Sequence, residues 1–247
     1  MARGKYAAPR KHNPKLIALI LALVLLMGSV IGGTVAWLMD ETEEVVNTFT
    51  YGDIDITLDE TDIDENGDPV DKDGDGKPDR KPEGNDYEMI PGEDITKDPM
   101  VTVKTGSEEM WLFVKLEESE NFDDFIEEYE LANGWNALEG EDGVYYRHVT
   151  AEEVAEENKV FEVIKDNTLT VKGEVTKEML NALDKDKDGN ELATKKYPTL
   201  TVTAYAVQYA GFAPETEEGA EATPAQIAAA AAKAWTEVVE PELSETP

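Results

Sequence analysis

Carboxylates at alternating positions are the groups in this sequence best placed to do chemistry. Asp71, Asp73 and Asp75, followed by Gly76 and Asp79, have the spacing by which a short loop wraps oxygen ligands around Ca²⁺. Asp184, Asp186 and Asp188, followed by Gly189, repeat it, and in both loops the glycine supplies the sharp turn at the sixth position. Asp62, Asp64 and Asn66, ahead of Gly67, repeat the pattern once more, so residues 62–79 carry material for one or two ions. The bidentate glutamate of an EF-hand is missing: the twelfth positions are Pro82 and Lys195. Affinity is therefore expected at the extracellular grade, about 10⁻⁴ to 10⁻³ M. The pairs Asn66-Gly67, Asp75-Gly76 and Asp188-Gly189 equally suit plain turns, where Asx and Gly are favoured for backbone reasons alone.

Little else in the chain suits catalysis. Its 247 residues include no Cys and two His, His12 and His148, which excludes thiol chemistry and cysteine-ligated metals. No His-Glu-x-x-His helix, no nucleophile motif and no phosphate-cradling glycine loop is present. Adjacent acids such as Glu117/Glu118 and Asp123/Asp124 carry almost no information in a chain with 55 acidic residues against 22 basic ones. A net charge of -33 repels phosphate backbones, so no nucleic-acid partner is expected. Trp111, Trp135, Tyr145 and Tyr146 offer faces for stacking on sugars, although Trp111 sits within an alternating strand and reads as core. The expectation is a protein that is not an enzyme.

The elements that would position these residues begin with a separate N-terminal segment. Five basic residues and no acid precede the apolar run Leu16–Met27, and small residues follow up to Ala36. This is the layout of a signal peptide over residues 1–36, cut between Ala36 and Trp37, with only transient membrane contact. The rival reading is an uncleaved anchor, because residues 16–38 form an uncharged stretch of 23 residues. Either way the remainder is exported, to the extracellular matrix or cell surface of a bacterium. Cleavage would leave a net charge of -38, and with no Cys the exported part must rely on a packed core or bound ions.

Period-two alternation predicts a strand over Val45–Leu58, and similar patterns recur at 99–104, 110–116, 144–149, 160–164, 169–171 and 200–209. Short helices are expected at 121–129, 151–157 and 177–183, and an alanine-rich helix at 225–235. With so little apolar area, that last helix is expected at the sandwich edge or fraying, and the tail from Glu240 is too polar to fold alone. The fold class is all-β: an antiparallel β-sandwich over residues 45–212 with an acidic insertion at 59–85. Residues 37–49 form an N-terminal extension, and 213–247 a linker, the alanine-rich helix and an acidic tail.

Gly32-Gly-Thr-Val-Ala36-Trp-Leu-Met-Asp40, Asn47-Thr-Phe49-Thr-Tyr-Gly52-Asp-Ile-Asp-Ile-Thr-Leu58 and Ile90-Pro-Gly-Glu-Asp-Ile-Thr-Lys97 together resemble the TasA/camelysin family. The likeness takes in Trp111–Leu116 and Thr201–Tyr209, but not 59–85 or 117–196. It implies a jelly-roll-like sandwich, processed by a dedicated signal peptidase, that polymerises with itself into surface or biofilm-matrix fibres. Each subunit would lend an N-terminal strand to its neighbour, with Trp37, Leu38, Met39, Val45, Val46 and Phe49 as donor residues. Read without the likeness, residues 40–44 are a charged linker between an anchor and the first strand. The metalloprotease label attached to camelysin finds no matching residues here, since His148 alone would survive processing. A monomeric, membrane-anchored calcium- or glycan-binding module is the alternative function.

Overall fold

The run Met110-Trp-Leu-Phe-Val114 has no polar position, and all five residues are fully buried. A strand can be apolar on both faces only if both are covered, and two different layers cover this one. In the computed structural model, which describes residues 54–217 and 220–245, strand β5 (Met110–Glu118) forms the centre of the fold. It pairs along its whole length with β10 (Leu200–Gln208), from Leu200↔Glu118 to Gln208↔Met110. On its other side lies β7 (Val144–Val149), followed by the two-residue β6 (Asn136–Ala137), giving the antiparallel order β10-β5-β7-β6.

A second four-stranded sheet faces it: β2 (Arg80–Lys81), β1 (Ile56–Thr61), β4 (Met100–Val103) and β8 (Lys159–Glu162), in the order β2-β1-β4-β8. Leu58, Val101, Val103 and Phe161 from this sheet meet Leu112, Val114, Val202 and Ala204 from the first, closing the sandwich core. A two-stranded sheet of β3 (Asp94–Thr96) and β9 (Thr168–Thr170) caps a smaller cluster built on Phe122, Phe125, Ile164 and Val171. The antiparallel sandwich expected from the alternation is therefore present. The strand expected over 45–58 is described only from its end, where β1 continues three residues further, to Thr61; Val45, Val46 and Phe49 lie outside the described residues, as do Ala36, Trp37, Leu38 and Met39.

Helices depart from expectation for local reasons. The segment expected as a helix over 121–129 makes one turn, α1 (Phe122–Phe125), because Ile126 turns extended and bridges Val171. No helix forms at 151–157. Thr150 and Glu153 do make the reciprocal capping bonds, Thr150 N donating to Glu153 Oε2 at 2.9 Å. The Val154 carbonyl is then taken by Gly106 N at 2.8 Å and Thr105 Oγ1 at 3.1 Å, so it is not offered to a next helical turn. Helix α2 (Lys177–Asp184) forms behind its Thr176 cap, as expected.

The alanine-rich helix α3 (Pro224–Ala234) does not lie at an edge. It covers the outer face of the first sheet, where Ala230, Ala231 and Ala234 let it approach Trp111, Phe113, Tyr205 and Val207 closely. A π-helical turn, Trp235–Val239, and α4 (Glu240–Glu245) continue it, so the polar tail extends a docked helix rather than folding by itself. Trp235 supplies the area that alanine lacks: it is 1% exposed, with its ring centroid 5.4 Å from Phe113 and 5.6 Å from Tyr205. Trp235→Ala should cost about 3–5 kcal/mol of stability, the range for deleting a buried aromatic ring. A urea titration should show its midpoint well below that of Trp135→Ala, whose ring is only part-buried.

Candidate metal loop and buried charge network

The three acidic loops diverge once folded. Asp71, Asp73 and Asp75 are exposed and bring one carboxylate oxygen each within 4.8 Å of one another, so this cluster could hold a metal ion. The backbone arranges it. Gly74 N and Gly76 N donate to the two oxygens of Asp71 at 2.7 and 3.0 Å, Asp75 N to Asp73 Oδ1 at 3.0 Å, and Lys77 N to Asp75 Oδ1 at 2.8 Å. Gly76, with φ +84°, takes the left-handed turn that a side chain would resist. Asp79 is not a member; its carboxylate accepts from Lys72 N at 2.7 Å and closes the loop from outside.

Asp62, Asp64 and Asn66 form a hairpin turn. Asp64 N bonds Asp68 O at 2.9 Å, and Asp64 Oδ1 accepts from Asn66 N and Asp68 N at 2.8 and 3.0 Å. Those backbone donors hold the Asp64 carboxyl below its ordinary range. Asp62 points the other way, to the Lys72 ammonium and to Lys81 Nζ at 3.3 Å. Asp184, Asp186 and Asp188 behave alike: Asp186 accepts from Asn190 Nδ2 and from the Asp188 and Asn190 amides, while Lys185 bridges Glu191 across the hairpin. Asn190, and to a lesser degree those amides, hold Asp186 low. Of the ten candidate ligands, the fold brings together three.

Sequence reasoning missed the charges inside the fold. The burial alternation of β1 continues past Leu58 through Glu60 and Asp62, 5% and 7% exposed, although these are acids. Glu60 pairs with the buried Lys97 ammonium and accepts from Tyr87 Oη at 3.1 Å and Asn85 Nδ2 at 3.3 Å. Burial, reinforced by the Glu60 charge, pushes the Tyr87 phenol well up. Asp98 accepts from Thr61 N at 2.9 Å and Thr61 Oγ1 at 2.7 Å, and pairs with Arg80 at 2.7 Å; Arg80 also reaches Asp59. The visible signal was the scarcity of cations: Arg80, Lys81 and Lys97 stand out in an acid-rich stretch and all find partners.

The aromatic quartet is divided. Trp111 and Tyr146 belong to the core under α3, with Trp111 Nε1 donating to Phe212 O at 3.0 Å, whereas Trp135 and Tyr145 pack against the inter-sheet core. His148 is part-exposed on β7, stacked on Tyr209 at 4.1 Å and bonded to Glu109 at 2.7 Å. Among the described residues no helix is long and apolar enough to cross a membrane. No family model, curated protein or solved structure matches the chain.

Two outcomes are expected of the loops. Calorimetric titration with a divalent cation should show weak binding that Asp73→Asn removes, while Asp64→Asn and Asp186→Asn leave it unchanged. For Asp62, the Lys72 hydrogen bond, opposed by burial and joined by Lys81, lowers the pKa. Its stabilising effect is therefore complete above the unfolded carboxylate value, about 3.9, and is lost as pH falls through the lower folded value. Amide exchange at Val70 and Asp79, corrected for intrinsic rates, should accelerate in that acid window and not between pH 5 and about 8.

Proposed function

We propose that the chain is an exported, non-catalytic structural protein that polymerises into surface or biofilm-matrix fibres. Residues 37–49 of one subunit would pair as a strand with the next. The observation that carries this reading is an open strand edge. β1 is paired with β4 over Ile56–Asp59, but with β2 only at Glu60 and Thr61, so among the described residues Ile56–Leu58 has no ladder partner on its other side. An edge of this kind offers backbone groups that an incoming strand satisfies, while alternate side chains fill pockets. The core beside it is apolar: Ile54 and Leu58 are buried and Ile56 packs against them. The likeness of residues 32–58 and 90–97 to the TasA/camelysin family supports the same reading.

Charge sets the conditions for assembly. Subunits at -38 after processing repel one another over about 8 Å at physiological ionic strength, and cations must screen or bind them before edges can meet. Ca²⁺ at Asp71, Asp73 and Asp75 would do so locally. That cluster also favours the second reading, a membrane-anchored calcium-binding module that stays monomeric.

Chains beginning at Trp37 and at Thr50, imaged side by side by negative-stain electron microscopy, separate the two readings. Fibres are expected from the longer chain only, with growth, followed by light scattering, promoted by millimolar Ca²⁺, by salt or by mild acid. Monomers from both chains under every condition would favour the anchored module.

A further inference from the structure

Lys97 and Glu60 are an isolated buried ion pair, their side chains 8% and 6% exposed, and neither takes part in the metal loop or the open edge of β1. What sets the pair apart is that the same carboxylate also accepts from a carboxamide, beside the Tyr87 hydroxyl at 3.1 Å. Glu60 Oε1 accepts from the Lys97 ammonium, and Oε2 accepts from the Asn85 carboxamide nitrogen at 3.3 Å. One carboxylate thus touches an amine and an amide in a setting with little water. The carboxamide is held from three sides: Asn85 Nδ2 donates to Thr61 O at 2.9 Å and lies 3.3 Å from Tyr87 Oη, and Ile63 N donates to Asn85 Oδ1 at 3.4 Å. Lys97 Nζ lies 5.6 Å from the centre of the Tyr87 ring, which walls the site.

We propose that this triad forms an intramolecular isopeptide bond between Lys97 Nζ and Asn85 Cγ, with Glu60 as the catalytic residue. Glu60 takes a proton from the Lys97 ammonium, and the free amine attacks the Asn85 carboxamide carbon. The negative charge developing on Oδ1 is met by the Ile63 N–H, in the manner of an oxyanion hole. Glu60 returns its proton to the departing nitrogen, the Cγ–Nδ2 bond breaks, and ammonia leaves, carrying off the second ammonium proton as ammonium. One C–N bond forms, one breaks, and no oxidant or cofactor is needed. Holding both reactants on one carboxylate gives the amine a high effective concentration at an otherwise unreactive amide. Among the described residues, Lys72 and Lys165 also form close ion pairs with exposed ammonium groups, and Lys115 pairs with the exposed Glu117 at 2.7 Å, but none of these carboxylates accepts from a carboxamide. The product would tie the exit of the acidic insertion to the segment between β3 and β4, a covalent staple in a chain that has no Cys.

Proteolytic digestion of the full chain followed by tandem mass spectrometry tests this. The expected result is a branched peptide joining the Lys97 and Asn85 fragments, lighter by one ammonia than their sum, with no cleavage after Lys97 by trypsin. Glu60→Gln should yield only linear peptides. Asn85→Ala, which keeps the Lys97–Glu60 pair and so guards against simple misfolding, should do the same. Linear peptides with unmodified Lys97 and Asn85 from the wild-type chain would overturn the proposal. So would ammonia loss confined to a linear peptide at Asn66-Gly67, which is asparagine cyclisation, or a water-loss link between Lys97 and Glu60.

Discussion

The pairing of β5 with β10 is the constraint around which the rest of this molecule is arranged. Both strands are nine residues long, pair in continuous register, and alternate large side chains to two different cores. Leu112, Val114, Val202 and Ala204 face the second sheet, while Trp111, Phe113, Tyr205 and Val207 face α3. A one-residue slip would exchange the two sets and put tryptophan between the sheets, where the facing residues are Leu58, Val101 and Val103. The register therefore decides where both outer layers sit. Close approach elsewhere reinforces it: a Cβ on Gly143, at the entry to β7, would meet Leu116 O at 2.3 Å, so only glycine lets that turn lie against β5.

Among the described residues the buried acids are Glu60, Asp62 and Asp98, and each has a cationic partner. Glu60 with Lys97 and Asp98 with Arg80 are the main exceptions to an apolar interior, and both sit where the acidic insertion leaves and rejoins the sandwich. Ion pairs of this kind add little net stability over apolar packing, yet removing one partner strands a buried charge at a cost of about 3–5 kcal/mol. Their effect is specificity. The insertion has almost no apolar side chains with which to choose its position, and complementary charges choose it instead. Thr61, whose N–H and hydroxyl both bond Asp98, ties the strand end to that choice.

Alternation made most of the strands legible, because period two needs only one covered face to show itself; β4, β5, β7, β8, β9 and β10 fall within a residue or two of expectation. It could not say that β5 is covered twice, since an unbroken apolar run is silent about the layers on either side. Nor could composition place α3. Alanine reads as a weak anchor, and only the fold shows that small side chains bring Trp235 down onto Phe113 and Tyr205. The three Asx-Gly loops share their alternating spacing in sequence and differ in the bonds made by residues beyond the glycine. Asp68 and Asn190 return backbone bonds to Asp64 and Asp186 and close hairpins around those carboxylates. After Gly76, Lys77 N bonds Asp75 and Asp79 goes back to Lys72, and three carboxylates converge.

The edges of the two sheets are not blunted alike. β8 ends its sheet with a charged residue on either side of Val160-Phe161, and β6 is two residues long, both ways of blunting an edge against association. β1 is open over Ile56–Leu58, a stretch flanked by Asp55 and Asp59, and among the described residues β10, the edge of the first sheet, is open along nine residues of which none is charged. If strand exchange is the use of the β1 edge, the acidic surface has a matching role. Repulsion between like subunits keeps the edge from premature pairing, and a bound or screening cation then sets when that repulsion yields.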